Sequence, residues 1–214
     1  VSWRERPALQ FYCEQPRDRP GITRFSVVGS EGRPHCHWST KLWVGGKALW
    51  LSADRAATFT DENAPLSGMA SAIAVAPGMS NRVVVGTNDG HIVRSDSASG
   101  GAAENWTSAR PRTGYVSSIT FDPTNANVVW ATYAGFGGAH VWRSLDGGSA
   151  WTAMDGSGDA ALPDLPIHSL AVDPLHAHRI YLGTDLGVFV AQLERAQGTV
   201  EARVVGRERG VVLG

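Results

Sequence analysis

The sequence predicts an all-β protein: a β-propeller arc of about four four-stranded blades, either standing alone or forming part of a larger propeller. Three observations carry this expectation. A set of short apolar strands recurs about every 46 residues, turn residues punctuate the chain every eight to twelve positions, and no long stretch keeps a helical period.

The repeat is read most directly from its prolines. Ser71-Ala-Ile-Ala-Val-Ala-Pro77 aligns with Ser117-Ser-Ile-Thr-Phe-Asp-Pro123 and with His168-Ser-Leu-Ala-Val-Asp-Pro174, the prolines lying 46 and 51 residues apart. Within each copy, Ile73 and Val75, Ile119 and Phe121, and Leu170 and Val172 alternate with small or polar residues, as in a strand with one face inward. Second strands follow at 82–87, 128–132 and 179–184, rich in Val, Ile, Trp and Tyr. Third strands follow at 90–95, 139–144 and 187–191. Inward positions of the last unit are expected at Ile180, Leu182, Val188 and Val190. A worn copy lies upstream, where Leu49-Trp-Leu-Ser52 matches Val141-Trp-Arg-Ser144 two periods later. Four short strands per unit at a fixed interval is the pattern of propeller blades. Residues 41–191 therefore read as blades, 1–40 as an irregular segment or partial blade, and 192–214 as a divergent tail or incomplete blade.

Composition narrows the function classes. The 214 residues carry 19 Lys and Arg against 20 Asp and Glu, a formal charge of −1 that argues against nucleic acid or an anionic membrane as the main partner. Hydrophobic residues make up 43%, enough to fold, yet no apolar run approaches a membrane-spanning helix. The chain begins at Val1 without a basic and apolar leader, which fits a removed signal or an internal fragment. Cys13 and Cys36 allow one bridge or two free thiols. His35-Cys36-His37 lacks a second pair with zinc spacing, so ordinary strand side chains explain it better than a metal site, and no cofactor is implied.

The sharpest local motif is Ser144-Leu-Asp146-Gly-Gly148-Ser-Ala-Trp151. A carboxylate here can accept main-chain amides across a hairpin turn, Gly148 can take a positive φ without steric cost, and Trp151 can pack beneath. A degraded copy, Ser52-Ala-Asp54-Arg-Ala-Ala-Thr-Phe59, keeps Ser52, Asp54 and the aromatic Phe59 but has Ala56 in place of the glycine. A third, from Ser95 to Trp106, carries an insertion, and the fourth expected position holds none. Asp146, although near His140 in sequence, reads as a turn former, as do Asp54, Asp122 and Asp173.

These residues match the Asp-box, Ser-x-Asp-x-Gly-x-x-Trp, and from about Leu49 to Ala191 the chain resembles the BNR/Asp-box superfamily of β-propellers. That superfamily includes sialidases, sortilin-type receptors, xyloglucan-degrading hydrolases and many bacterial exported proteins. The resemblance implies a propeller and an extracytoplasmic location, but Asp-boxes occur in enzymes and non-enzymes alike.

Up-and-down topology puts the Asp-box turns and the first-to-second-strand turns at one end. At the other lie the second-to-third-strand loops and the connections between blades, where the resemblance places ligands. There Tyr133-Ala-Gly-Phe136-Gly-Gly carries two aromatics beside flexible glycines. These suit stacking on a sugar ring or docking a peptide, or Phe136 tucks into the blade edge. Asp89 and Asp185 hold equivalent positions and could line a polar rim, bind a ligand hydroxyl or simply form turns, the turn reading being the better supported. The acidic, Gly-rich stretch holding Asp155, Asp159 and Asp164 reads as a solvated loop. The function expected is a non-catalytic binding or scaffolding module for a protein or carbohydrate ligand on this face. The alternative is a glycoside hydrolase of the xyloglucan-hydrolase type, or an incomplete fragment of one; the sialidase signature is absent. Open blade edges would favour self-association.

Overall fold

The computed structural model describes residues 10–13, 24–26, 41–54, 57–99, 102–158, 161–176, 178–196 and 199–208. Cys36, its flanking histidines, Ala56 and Asp159 lie outside them, as does the side chain of Cys13. Among the described residues the strands fall into four antiparallel sheets. The first runs in the order β2 (Arg24–Ser26), β1 (Gln10–Cys13), β3 (Leu42–Gly45), β4 (Leu49–Ser52) and β5 (Thr60–Asp61). The second contains β6 (Ala70–Ala76), β7 (Met79–Thr87), β8 (Ile92–Ser95) and β9 (Trp106–Ala109) in chain order. The third contains β10 (Val116–Phe121), β11 (Val129–Tyr133), β12 (Val141–Ser144) and β13 (Thr152–Ala153). The fourth contains β14 (Ile167–Val172), β15 (Arg179–Thr184), β16 (Gly187–Ala196) and β17 (Thr199–Glu208). A 3-10 turn spans Ala103–Asn105, and among the described residues no helix is long and apolar enough to cross a membrane.

The chain is thus a propeller arc of four blades. The first strands β1, β6, β10 and β14 follow one another around the arc, each against the next. Side chains stitch these inner strands together: Ser71 Oγ donates to the Val116 carbonyl at 2.7 Å, and Thr120 Oγ1 to the Leu170 carbonyl at 3.2 Å. Ser117 makes the equivalent bond to Ile167.

Apolar burial lies between the sheets. In β6 the alternation splits one strand between two cores. Ile73 and Val75 pack backward with Trp43, Leu49 and Leu51 of the first blade, while Ala72, Ala74 and Ala76 pack forward with Val116, Ile119 and Phe121 of the third. The third core joins Trp130, Val141 and Met154 to Ile167, Leu170, Ile180, Leu182 and Phe189. Close approach of blades requires small residues at the contact. A Cβ added at Gly86 of β7 would sit 2.3 Å from Val116 Cγ1 of β10, so no larger residue fits without moving that strand.

Three expectations are corrected. Val188 and Val190 are only partly buried, and Phe189 between them enters the core instead. The reason is that only one face of the fourth sheet meets another blade among the described residues, so the opposite pleat is left uncovered. Tyr133 is no loop aromatic: it ends β11 and is fully buried. The stretch around Asp155 is not merely solvated, as its contacts below show.

Candidate functional site

Both ends of the arc are built from carboxylates, and their partners differ. At the Asp146 end, Ser144 Oγ donates to Asp146 Oδ1 at 2.7 Å and itself accepts the Gly148 amide at 2.7 Å. Asp146 Oδ1 then accepts the amides of Ser149 and Ala150, both at 2.9 Å. Gly148 has φ +101°, open to glycine and strained for other residues, and Trp151 Nε1 donates to its carbonyl. Burial pushes the Asp146 carboxyl up, but the amides of Ala150 and Ser149, the Ser144 hydroxyl and Arg94 outweigh it and hold it below the usual range. The Ser52–Phe59 turn keeps the same hydroxyl-to-carboxylate bond at 2.8 Å, and Thr58 supplies both an amide and a hydroxyl to Asp54. The Thr58 hydroxyl, its amide and Ser52 together lower the Asp54 carboxyl to about 2. Phe59 differs from Trp151: it is 42% exposed. Asp122 and Asp173 likewise accept the amides of Thr124 and Leu175 in their own turns.

At the opposite end each of the last three blades carries a histidine facing a carboxylate. In the second blade His91 Nδ1 lies 3.1 Å from Asp89 Oδ2 and 2.7 Å from Ser67 Oγ. Serine, histidine and aspartate here do not form a nucleophilic triad, because serine and carboxylate meet the same ring nitrogen, whereas proton relay requires one on each. Burial raises the Asp89 carboxyl, but hydrogen bonds from Thr87 and Ser67 and the neighbouring His91 outweigh it and bring it to about 2. In the fourth blade the exposed pair His168 Nε2 and Asp185 Oδ1 are 2.8 Å apart. His168 stands in the repeat where Ser71 and Ser117 reach the following blade.

The third blade holds the most enclosed pair. His140 is 2% exposed, and its Nδ1 lies 2.9 Å from Asp155 Oδ2. Asp155 also accepts the amides of His140 and Val141, so the loop carboxylate fixes both the ring and the start of β12. On the other side His140 Nε2 is 3.1 Å from Asp164 Oδ1, too misaligned for a hydrogen bond. Asp164 is 61% exposed and accepts the Gly137 amide at 2.7 Å. These groups line an open cleft of about 470 Å³ together with Gly138, Ala139, Ala153, Gly156 and Leu162.

Of the expected ligand residues, Asp89 and Asp185 lie at this end in His–carboxylate pairs, in different blades. Phe136 is 71% exposed, in the loop after β11. Tyr133 is withdrawn: its hydroxyl donates to the Gly90 carbonyl of the second blade at 3.0 Å, and burial pushes its pKa up. The histidines were not among the expected site residues. The repeat held a signal for two of them, since Gly90-His91-Ile92 and Ala139-His140-Val141 align one position before the third strand. Among the described residues no cluster of three or more His, Cys, Asp or Glu side chains is arranged to hold a metal ion.

No protein-family model matches the chain, and no curated protein does. Solved structures do. A crystal structure of an ancestral GH74 enzyme matches 95% of this chain and 26% of its own, with a TM-score of 0.58 and 23% identity. The GH74 enzyme of Niastella koreensis matches 77% of this chain and 28% of its own, with a TM-score of 0.54 and 20% identity. These likenesses support the propeller arc, and the chain spans about a quarter of the length of either enzyme.

Proposed function

We propose that this chain is one arc of a glycoside-hydrolase-type propeller, presenting a polysaccharide-binding surface at its histidine-bearing end. The single observation behind this reading is the match of nearly the whole chain to about a quarter of a GH74 enzyme. On this reading the Ser144–Trp151 and Ser52–Phe59 turns are Asp-boxes that clasp blades, and the protein works outside the cytoplasm. The outer faces of the arc, with Trp50 40% exposed at one side and Val188 and Val190 partly exposed at the other, are then covered by further blades.

Glycoside hydrolysis needs two carboxyl groups flanking the scissile bond, roughly 5–9 Å apart with substrate between them. Asp155 and Asp164 do flank something, but it is the His140 ring. Asp89 and Asp185 each face a histidine in separate blades. This arrangement favours binding without turnover by the chain itself, with the acid and base of an intact enzyme completed outside the arc.

The test has two arms. The 214-residue chain is run through native gels cast with xyloglucan or related β-glucans, and the same polymers are assayed for reducing-sugar release. Retardation without release is expected. Release abolished by Asp164→Asn or Asp155→Asn would make the chain an enzyme in its own right, and unretarded migration in every glucan would overturn the polysaccharide reading.

A further inference from the structure

The enclosed His140 ring stands between two carboxylates, one at each nitrogen. It is 2% exposed, with Nδ1 2.9 Å from Asp155 Oδ2 and Nε2 3.1 Å from Asp164 Oδ1. A neutral imidazole carries one N–H and one lone pair, whereas the imidazolium presents a proton on both sides. A neutral ring here turns a lone pair toward a carboxylate oxygen on one side or the other, and burial makes that repulsion costly. The arrangement is therefore the one a charged ring makes. Misalignment at Nε2 denies a hydrogen bond, but attraction between charges needs no alignment.

The two carboxylates are not equally free. Asp155, just after β13, accepts the amides of His140 and Val141 as well as the ring, and 18% of its side chain is exposed. Asp164, just before β14, is 61% exposed and accepts the Gly137 amide. When the ring has one proton, Asp155 keeps its two amides and that N–H, so Asp164 is the partner released. The Asp164 carboxylate spans the mouth of the cleft, between Gly138 and Ala139 on one side and Gly156 and Leu162 on the other. Behind it, Arg112 holds the 134–139 loop by the Phe136 and Ala139 carbonyls, and Leu162 and Leu165 pack against the third core. Gly137 has φ +74° and no atom within 4 Å of where a side chain would begin, so the backbone can swing there without a clash. Among the described residues lining the cleft, His140, Asp155 and Asp164 are the titratable ones. Arg112 brings a positive charge to the neighbouring Ala139 carbonyl from the connection before β10, against the two carboxylates.

We infer that His140 is a proton-operated latch on this cleft. Charged, it holds Asp164 and, through Asp164, the Gly137 end of the loop; neutral, it lets Asp164 turn to solvent and the mouth widen. The latch is closed toward pH 5 and open toward pH 8, the interval in which histidine side chains change charge. It operates whatever ligand this end of the arc takes, so it does not depend on the polysaccharide reading.

The experiment is an NMR titration of the 214-residue chain from pH 5 to pH 8, following the His140 ring nitrogens and the amide protons of Gly137 and Val141. The ring should pass from the imidazolium to the neutral pattern. The Gly137 amide signal should move upfield with the same midpoint as its acceptor leaves, and Val141, tied to Asp155, should move less. In Asp164→Asn the new side-chain amide can donate to the ring's lone pair while its oxygen keeps the Gly137 amide, so the Gly137 signal should no longer follow pH. Asp164 is exposed, so this variant should fold, and the titration of the unaltered chain is decisive without it. A ring that keeps one charge state across the range overturns the latch. So does a Gly137 signal that stays put while the ring titrates, or one that titrates equally in Asp164→Asn.

Discussion

At one end of the arc, Asp122, Asp146 and Asp173 accept main-chain amides of their own turns, Asp173 also having the half-exposed His176 ring beside it. At the other end, Asp89, Asp155, Asp164 and Asp185 face imidazoles. The difference separates carboxylates that close turns from carboxylates that hold imidazole rings. A turn without its acceptor has orphaned amides, so the first set is bound to stability. In the second set Asp155 and Asp164 also accept main-chain amides, those of His140, Val141 and Gly137, whereas Asp89 and Asp185 hold side chains. Tyr133, at the end of β11, and Phe136, in the loop after it, repeat the contrast: the first joins two blades, and the second meets solvent.

The largest effect that sharpens this comparison is Tyr133→Ala. It removes a fully buried ring and its bond to the neighbouring blade, and should cost about 4 kcal/mol by denaturant unfolding. Phe136→Ala, three residues on, should leave unfolding unchanged; an equal loss in both would erase the distinction. Next comes Ser144→Ala, which strands the buried Gly148 amide and should cost about 2 kcal/mol in the same assay.

Acid should act on the depressed carboxylates. Asp54 binds its proton less readily folded than unfolded, falling from an ordinary 3.8 to about 2. Its contribution is therefore complete above the unfolded value and lost as pH drops through the folded one. Thermal unfolding followed from pH 5 to pH 2 should show a falling midpoint, shallower in Asp54→Asn, and an unchanged slope in that variant would contradict the assignment. The smallest effect is expected from His168→Gln. With both partners exposed, its loss should shift stability by less than about 0.5 kcal/mol, measured in the same unfolding assay.

The fold was legible because blades repeat: Pro77, Pro123 and Pro174 mark equivalent turns, and alternation in 71–76 assigns both faces of β6. The site was less legible, for physical reasons that differ by residue. Tyr133 sits beside a glycine-rich loop, yet the strand carries on one residue further, and its ring spans to the second blade. Asp155 lies in a stretch whose composition reads as solvated, but its partners, His140 and Val141, are fifteen and fourteen residues away and become neighbours only when β12 and the connection after β13 meet. Val188 and Val190 obey alternation; which pleat is covered depends on a neighbouring sheet, which no local pattern encodes. His91 and His140 align in the repeat, but their pairing with carboxylates of different loops does not.

Since each hydrophobic cluster lies between two sheets, β6, β7 and β11 draw on two clusters while β14 draws on one. Cohesion is then a series of nearest-neighbour terms, and removing a unit from the middle breaks two of them where removing one from the margin breaks one. Amide hydrogen exchange should accordingly be slowest in β6, β7, β10 and β11 and grow faster toward both margins, so that fraying proceeds unit by unit.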